Sequence, residues 1–210
     1  MRECAVFAGG VIENPGFIDK KELLESCSFI ICADGGYRYA EALGIIPDLF
    51  VGDFDSYSGE LPGGIEVHKS VPEKDDTDTL LAVREAIEAG YSEIRLYGAL
   101  GARIDHAIAN IQTMIFAHSR GCELKIIDEA NEMFLQGAGE RSYIRRDGWY
   151  FSLFAMGGNA HISSCRGVKY PIEDYQMTPE FPIGVSNEIT ADKAILRVDS
   201  GLVLVIRSKM

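Results

Sequence analysis

Two clusters of carboxylates have a spacing that could hold a divalent cation. The first is GDFDS at residues 52–56, in which Asp53 and Asp55 directly follow an apolar run. In an extended chain, residues two apart point to the same side, so both carboxylates face one point. Their mutual repulsion there favours a divalent cation. The alternative, which the sequence leaves open, is an Asx turn in which both side chains accept hydrogen bonds from the backbone.

The second cluster is KDDTD at residues 74–78, just before a stretch with helical periodicity. Asp75 and Asp78 are three residues apart and could share one face of that helix. Lys74 adds a positive charge beside them. Asp and Thr are also preferred helix caps, so capping is the open alternative. One carboxylate would be enough for a cap, and three are present.

Two glycine-containing junctions could approach a phosphate group. Residues 98–106, GALGARIDH, join a predicted strand to a predicted helix, where free N–H groups attract anions. Arg103 adds a planar fork of donors, although Asp105 could simply cap the helix and His106 could be structural. The second junction, Asp34-Gly35-Gly36, closes another apolar strand. Its paired glycines would let the backbone approach a ligand closely.

These motifs need a scaffold, and residues 1–128 have the pattern of one. Short apolar runs alternate with helix-like segments, which is typical of a mostly parallel α/β sheet covered on both faces. In such a sheet, ligands bind at the carboxyl ends of the strands, where all four motifs fall. The predicted helices cover residues 19–25, 37–43, 79–89 and 104–118.

Residues 129–210 have a different pattern, in which short strands follow one another without helical periodicity. This pattern predicts a smaller antiparallel β-sandwich domain. Residues 199–201, DSG, are a turn signal that predicts a hairpin between the last two strands. Residues 167–170 are predicted to be a strand, and 171–182 a long loop of the kind that often binds ligands.

Composition limits the possible partners. Apolar residues make up 47% and charged residues 25% of the 210, and the net charge of −12 argues against nucleic acid and anionic membranes. Five cysteines without CxxC spacing predict buried thiols in a reducing cytoplasm. No apolar run is long enough to span a membrane, and the first residues do not resemble a signal peptide.

Taken together, the motifs resemble those of the thiamine pyrophosphokinase family. The resemblance runs through Asp34-Gly35-Gly36, GDFDS at 52–56, KDDTD at 74–78 and GARIDH at 101–106 with Asn110. In the second domain it includes GVKYP at 167–171 and SNE at 186–188, whereas Ala102 stands where the family usually has a glycine. The resemblance implies transfer of pyrophosphate from ATP to the hydroxyl of thiamine, giving thiamine diphosphate and AMP.

The same resemblance implies roles for individual residues. A magnesium ion would bind Asp53, Asp55, Asp75 and Asp78, and the catalytic set would be Asp53, Asp55, Asp78, Lys74 and Arg103. The nucleotide would contact Asp34, Gly35, Gly36, Arg103, Asp105 and His106. Thiamine would contact Tyr170, Ser186 and Asn187 of the second domain. A cytoplasmic homodimer with active sites shared between subunits is also implied.

Two other functions remain open at this point. A metal-dependent phosphohydrolase could use the Asp53–Asp55 pair, with one Asp as nucleophile, but it leaves the second-domain motifs without a role. A catalytically inactive nucleotide-sensing dimer is the other alternative. The several carboxylates argue against it, because a binding module needs few of them.

Overall fold

The computed structural model describes residues 3–52, 62–69, 76–101 and 103–210. The chain divides into two compact units, Met1–Glu129 and Ala130–Met210. The sequence places this division after residue 128, one residue earlier.

The first unit contributes six strands to a sheet, and every described pairing among these six is parallel. Its strands lie in the order β6-β5-β1-β2-β3-β4. The strands are β1 (Glu3–Phe7), β2 (Cys27–Ala33), β3 (Leu49–Gly52), β4 (Glu66–Lys69), β5 (Glu93–Tyr97) and β6 (Glu123–Ile127). The helices are α1 (Lys20–Ser26), α2 (Tyr37–Ala42), α3 (Asp78–Glu88) and α4 (Ile104–Ser119).

Apolar runs and capping residues account for these elements. The strands β1 and β3 are almost wholly buried, as expected for a parallel sheet with helices on its faces. Asp19 caps α1 by accepting hydrogen bonds from the N–H groups of Lys21 and Glu22. Thr77 caps α3 in the same way through Leu80 N–H.

The strand order contains a reversal. From β1 the chain proceeds outward through β2, β3 and β4, and then returns to place β5 on the other side of β1. The connections leaving β1 and β5 therefore depart in different directions. Such a switch point opens a crevice at the carboxyl ends of the strands, where α/β proteins bind ligands.

The second unit is built from antiparallel strands, as the sequence predicts. Four of them pair in the order β12-β9-β14-β7, and four more form a separate sheet in the order β11-β10-β13-β8. The buried core of this unit draws side chains from both groups, as in a sandwich. The strands are β7 (Asn131–Gln136), β8 (Gly139–Ile144), β9 (Trp149–Ala155), β10 (Ala160–Arg166), β11 (Ile172–Met177), β12 (Asn187–Glu188), β13 (Lys193–Ser200) and β14 (Val203–Lys209).

Three details of the second unit differ from expectation. The predicted hairpin at residues 199–201 is wrong, because β13 pairs with β8 and β10 whereas β14 pairs with β7 and β9. The turn therefore carries the chain from one sheet to the other. Residues 167–170 form no strand and contribute one bridge, Val168 to Ile189. The predicted loop at 171–182 contains β11, an edge strand in which three of the six residues are polar, so that it lacks the apolar run that marks the other strands.

All five cysteines are buried and free, in agreement with the sequence. Burial raises the pKa of the Cys122 and Cys165 thiols to about 11, which keeps them protonated and unreactive near neutral pH. Among the helices that the structure describes, none combines the length and apolar composition needed to cross a bilayer.

Candidate active site

A cavity of about 330 Å³ opens in the first unit at the switch point of the sheet. Its walls come from segments that follow β1, β2 and β5 and from the starts of α3 and α4. The lining residues are Ala8, Gly9, Gly10, Val11, Ala33, Asp34, Thr77, Asp78, Thr79, Gly98, Ala99, Gly101, Arg103, His106 and Asn110. The cavity thus lies where the sheet topology predicts a ligand site.

The floor of the cavity depends on close backbone contact after β1 and β5. Gly10 N–H donates to Gly98 O at 2.8 Å, and Ala8 N–H donates to Tyr97 O at 2.8 Å. A Cβ atom on Gly10 would lie 2.2 Å from Gly98 O, and one on Gly98 would lie 2.4 Å from Ala8 O. Gly98 also has a φ of +67°, which favours glycine. Only glycine fits at these two positions without moving the backbone.

Asp34 is a buried carboxylate with an unsatisfied oxygen at the cavity wall. It is 9% exposed, and its Oδ1 has no hydrogen-bond partner among the residues that the structure describes. Its φ of +45° lies in the left-handed region, which non-glycine residues rarely adopt. A buried carboxylate oxygen without a hydrogen-bond partner is costly, which indicates a site built to receive a ligand group.

The starts of α3 and α4 add charge to the cavity. Asp78 is the first residue of α3, and Arg103 is the N-cap of α4. The guanidinium of Arg103 donates to Asp105 from Nε at 3.2 Å and from Nη2 at 2.7 Å. This contact raises the pKa of Arg103 and holds the pKa of Asp105 below its usual value. Asp105 lies within the first turn of α4 and is not its cap.

Asn110 fixes the end of β5 from one turn further along α4. Its side chain is buried, and Nδ2 donates to Ala99 O at 2.8 Å. Because both Asn110 and Ala99 line the cavity, this bond ties one wall to another. A polar residue on the inner face of a helix is the signal for such a contact.

A second group of polar residues lies in the second unit, around Tyr170. Asn187 is buried, and its Oδ1 accepts from Tyr170 N–H at 3.0 Å while its Nδ2 donates to Tyr170 O at 2.8 Å. The ring of Tyr170 is left exposed, at 63%. Ser186 has a φ of +58° and donates its N–H to Ser152 Oγ. The group therefore presents an exposed aromatic ring on a backbone that the Asn187 side chain fixes.

Lys169 precedes Tyr170, and its ammonium pairs with Glu188 at 2.7 Å. Its hydrogen bond to Glu188 raises the Lys169 pKa, so it stays charged. The ammonium lies 5.8 Å from the centre of the Tyr170 ring. The ring is thus bordered by one balanced ion pair.

Comparison with known proteins decides the family. The family model described as "Thiamin pyrophosphokinase, catalytic domain" matches residues 20–126. A second family model, "Thiamin pyrophosphokinase, vitamin B1 binding domain", matches residues 141–203. The chain belongs to the thiamine pyrophosphokinase family. The first match covers the cavity-forming helices α3 and α4, and the second covers the Tyr170 group. Neither match favours the phosphohydrolase alternative.

Individual thiamine pyrophosphokinases agree with this assignment. The chain is 29% identical over 218 residues to thiamine pyrophosphokinase of Bacillus subtilis, covering 99% of both chains. A crystal structure of thiamine pyrophosphokinase from Bacillus subtilis superposes with a TM-score of 0.88, at 25% identity and 99% coverage of each chain. Thiamin pyrophosphokinase from Geobacillus thermodenitrificans gives 0.82 at 25% identity, covering 100% of this chain and 98% of that one.

The structure brings together some of the site residues predicted from sequence. Asp34, Asp78, Arg103 and His106 line one cavity. Asp105 contacts it through Arg103. Gly35 and Gly36 are buried in a short 3₁₀ helix, Asp34–Gly36, that leads into α2, and they are absent from the lining. Four predicted residues, Asp53, Asp55, Lys74 and Asp75, lie outside the described residues, as does Ala102.

Sequence reasoning missed one wall of the cavity, the loop after β1. Gly9, Gly10 and Val11 line it, but a glycine pair after a strand is too common to indicate a site by itself. The signal becomes specific only when the pairing of β1 with β5 is known. The sequence does not reveal that pairing, because the two strands are about ninety residues apart.

The donor set suits a hard divalent cation such as Mg²⁺. Asp34 presents an unpartnered oxygen and Asp78 a carboxylate at the same cavity, and oxygen ligands are those that Mg²⁺ prefers. Within the described ranges, no cluster of three His, Cys, Asp or Glu side chains is close enough to bind a metal. Three of the four carboxylates predicted as ligands lie outside those ranges.

Proposed function

We propose that this chain transfers the pyrophosphoryl group of ATP to the hydroxyl group of thiamine, producing thiamine diphosphate and AMP in the presence of Mg²⁺. The observation that supports this most directly is the cavity at the switch point, where Asp34, Asp78 and Arg103 meet two helix starts. A polyphosphate needs cationic groups and backbone N–H donors, and its metal needs carboxylates. The cavity combines all three.

The nucleotide binds in this cavity, with its phosphates toward the starts of α3 and α4. The N–H groups of a first helical turn have no partners within the helix, so they stabilise negative charge. Arg103 exchanges part of its contact with Asp105 for a phosphate, which is feasible because both side chains are exposed. Asp34, His106 and the segment at Gly35 and Gly36 complete the nucleotide side.

Asp53, Asp55, Asp75 and Asp78 would hold the magnesium ion, which would neutralise charge on the phosphates. Lys74 and Arg103 stabilise the charge that moves onto AMP as it leaves. The thiamine oxygen forms a bond to the β-phosphorus while the bond from that phosphorus to the α-phosphate oxygen breaks. One of the carboxylates accepts the hydroxyl proton. Positioning and charge stabilisation then supply most of the rate enhancement.

Thiamine binds against the Tyr170 group. The exposed ring of Tyr170 stacks on a ring of thiamine, and its π face attracts the positive charge of the thiazolium. Ser186 supplies a hydrogen bond to the aminopyrimidine. Both polar atoms of the Asn187 side chain are already bonded to the backbone of Tyr170. Asn187 therefore contributes chiefly by fixing Tyr170.

We also propose a cytoplasmic homodimer in which the nucleotide cavity of one subunit works with the Tyr170 group of its partner. Each unit exposes apolar side chains, and burying them against a partner subunit would be favourable. On α4, Ile104 and Ile108 are 73% and 54% exposed and lie one turn apart. In the second unit, the exposed apolar residues include Phe181, Ile183 and Val185. The buried free thiols suit a reducing compartment.

A coupled assay tests the reaction. The purified protein is incubated with ATP, Mg²⁺ and thiamine, and AMP and thiamine diphosphate are measured together. We expect equal amounts of the two products and none without thiamine. Release of inorganic phosphate that does not depend on thiamine would instead indicate the phosphohydrolase, and absence of turnover would indicate a binding module.

A heterodimer tests the shared sites. One subunit carries Tyr170→Ala and the other carries Asp78→Asn, with different affinity tags so that only mixed dimers are purified. If sites are shared, one site has both changes and the other has none, so about half of the activity remains at limiting thiamine. If each site lies within one chain, both are damaged and activity falls well below half. A monomer at assay concentration would also contradict the dimer.

A further inference from the structure

The loop after β1 is held in place from the side of α2. Residues 8–12 form no regular secondary structure, and on the β5 side two backbone hydrogen bonds hold them. On the other side, the hydroxyl of Tyr39 donates to Gly10 O and accepts from Ile12 N–H at 2.8 Å. One side-chain atom thus bridges two backbone groups of the loop on the side away from β5.

Arg38 reinforces the same contact. Its Nη2 donates to Gly9 O and, at 3.4 Å, to Gly10 O. The guanidinium also lies 4.9 Å from the centre of the Tyr39 ring, an attractive cation–π arrangement. Two adjacent residues of α2 therefore contact three positions of the loop, Gly9, Gly10 and Ile12.

The ring of Tyr39 gives this contact a rigid base. Tyr39 is 5% exposed and belongs to the buried core of the first unit, together with Phe7 and Phe50. Because the ring cannot move without disturbing that core, its hydroxyl is fixed in space. The 3₁₀ helix Asp34–Gly36 leads directly into α2. The segment that places Asp34 at the cavity is thus continuous with the one that holds the loop.

From these contacts we propose that Tyr39 and Arg38 are positioning residues for the nucleotide, acting through the loop at Gly9–Ile12. This inference rests on the proposed function, since the loop walls the cavity to which ATP is assigned. Preorganising a wall before the ligand arrives removes an ordering cost from binding. The effect belongs to the affinity for ATP and not to the chemical step or to thiamine.

Tyr39→Phe tests the proposal because it removes only the hydroxyl and retains the buried ring. We expect the KM and the directly measured Kd for ATP to rise about tenfold, the range for loss of hydrogen bonds to backbone groups in a buried setting. The kcat and the KM for thiamine should stay within about twofold. The amide of Ile12 should exchange its hydrogen faster, because its acceptor is gone.

Tyr143→Phe is the matched control. Tyr143 is a comparably buried tyrosine of the second unit, and its hydroxyl donates to Gln136 Oε1 at 2.6 Å. Removal of this hydroxyl should lower the melting temperature about as much as Tyr39→Phe does, and it should leave ATP binding unchanged. Equal effects of the two variants on every kinetic constant would overturn the proposal, because Tyr39 would then be merely structural.

Arg38 provides a second test that does not endanger folding, because this side chain is exposed. Arg38→Gln should raise the KM for ATP about threefold, and Arg38→Lys should restore part of that loss. Faster exchange at Ile12 in Tyr39→Phe with unchanged ATP binding would overturn the proposal and leave the reaction assignment intact. Because ATP binding is measured directly, a wild type without turnover would contradict the proposed function alone.

Discussion

The cavity of the first unit and the Tyr170 group of the second are built in opposite ways. The cavity is made largely of backbone, at three strand ends and two helix starts, and it depends on the absence of side chains at Gly10 and Gly98. The Tyr170 group depends on the presence of one side chain, the amide of Asn187, which bonds to both backbone groups of Tyr170. The cavity should therefore be damaged most by an added methyl group. The Tyr170 group should be damaged most by loss of the amide N–H of Asn187.

This difference follows from what each site is proposed to hold. Phosphate oxygens are best met by backbone N–H groups at close range, which requires small residues. A flat organic ring is best met by an aromatic face. In the second unit, the aromatic ring of Tyr170 lies on an irregular segment. There a side-chain amide, and not strand pairing, holds the backbone in place.

The largest expected effect comes from adding a methyl group to the cavity floor. Gly98→Ala places a Cβ 2.4 Å from Ala8 O at a φ of +67°, and it should lower the free energy of unfolding by about 3 to 4 kcal/mol. Gly121→Ala is the control, since Gly121 has a φ of +73° and no atom near its Cβ position. It should cost about 1 kcal/mol. Equal losses in urea unfolding would contradict the close-contact argument.

The next effect concerns charge in the cavity. Asp78→Asn keeps the shape and removes one carboxylate, so turnover with Mg²⁺ should fall about a hundredfold, roughly 2.7 kcal/mol of transition-state stabilisation. Asp76→Asn is the control, because Asp76 pairs with Arg84 at 2.9 Å and does not line the cavity. Steady-state rates across a magnesium titration measure both. Similar losses in the two variants would remove Asp78 from the site.

A smaller effect is expected in the second unit. Asn187→Asp retains the acceptor for Tyr170 N–H but cannot donate to Tyr170 O, so the KM for thiamine should rise about tenfold with that for ATP unchanged. Gln136→Glu makes the same chemical change at a buried amide that bonds to Gly139 and Leu196. It should lower stability without changing the KM for thiamine. A rise in the KM for ATP in Asn187→Asp would contradict the proposal that the second unit binds thiamine and not ATP.

The smallest effect lies outside both sites and tests whether the first unit has its own pH dependence. His68 bonds to Glu85 and Glu66 at 3.0 and 2.9 Å, and these bonds raise the pKa of His68 above 6.5. The charged form is thereby stabilised, so the contribution is complete below pH 6.5 and is lost as the pH rises through the folded-state pKa.

His68→Gln should therefore lower the melting temperature most at acidic pH and least at alkaline pH. Melting curves of both proteins between pH 5.5 and 9 measure the difference. A difference that does not change with pH would show that the two glutamates contact His68 without favouring its protonation. Glu25→Gln, at an exposed carboxylate that pairs with Lys21, serves as the control for a change of surface charge.

Much of the first unit could be predicted because its signals are local. The apolar run that becomes β2 and the helical stripe that becomes α3 each lie within a dozen residues. The charged residues at strand ends, such as Asp34 and Arg103, could likewise be assigned to one edge of a sheet. What could not be predicted was the wall at Gly9–Val11, since its role depends on a strand pairing that is distant in sequence.

In the second unit, local signals were ambiguous. The turn at Asp199 and Gly201 has the composition of a hairpin, yet a turn within a sheet and an arch between sheets use the same residues. β11 carries polar side chains because it is an edge strand with one face in solvent. Asn187 was predicted to contact the ligand. Its hydrogen bond to the backbone of Tyr170 could not be predicted, because the two residues are 17 positions apart in the sequence.

The place of β1 in the middle of the parallel sheet also has a consequence for how the chain folds during synthesis. β1 is synthesised before both of its partner strands and can pair with β2 within some 25 residues, but its other edge waits for β5, whose Glu93 pairs with Glu3. At about 5–20 residues per second, that edge stays open for about 5 to 18 s. During this interval the nascent chain exposes an apolar strand edge, so its early residues are where chaperone contact and misassembly should concentrate.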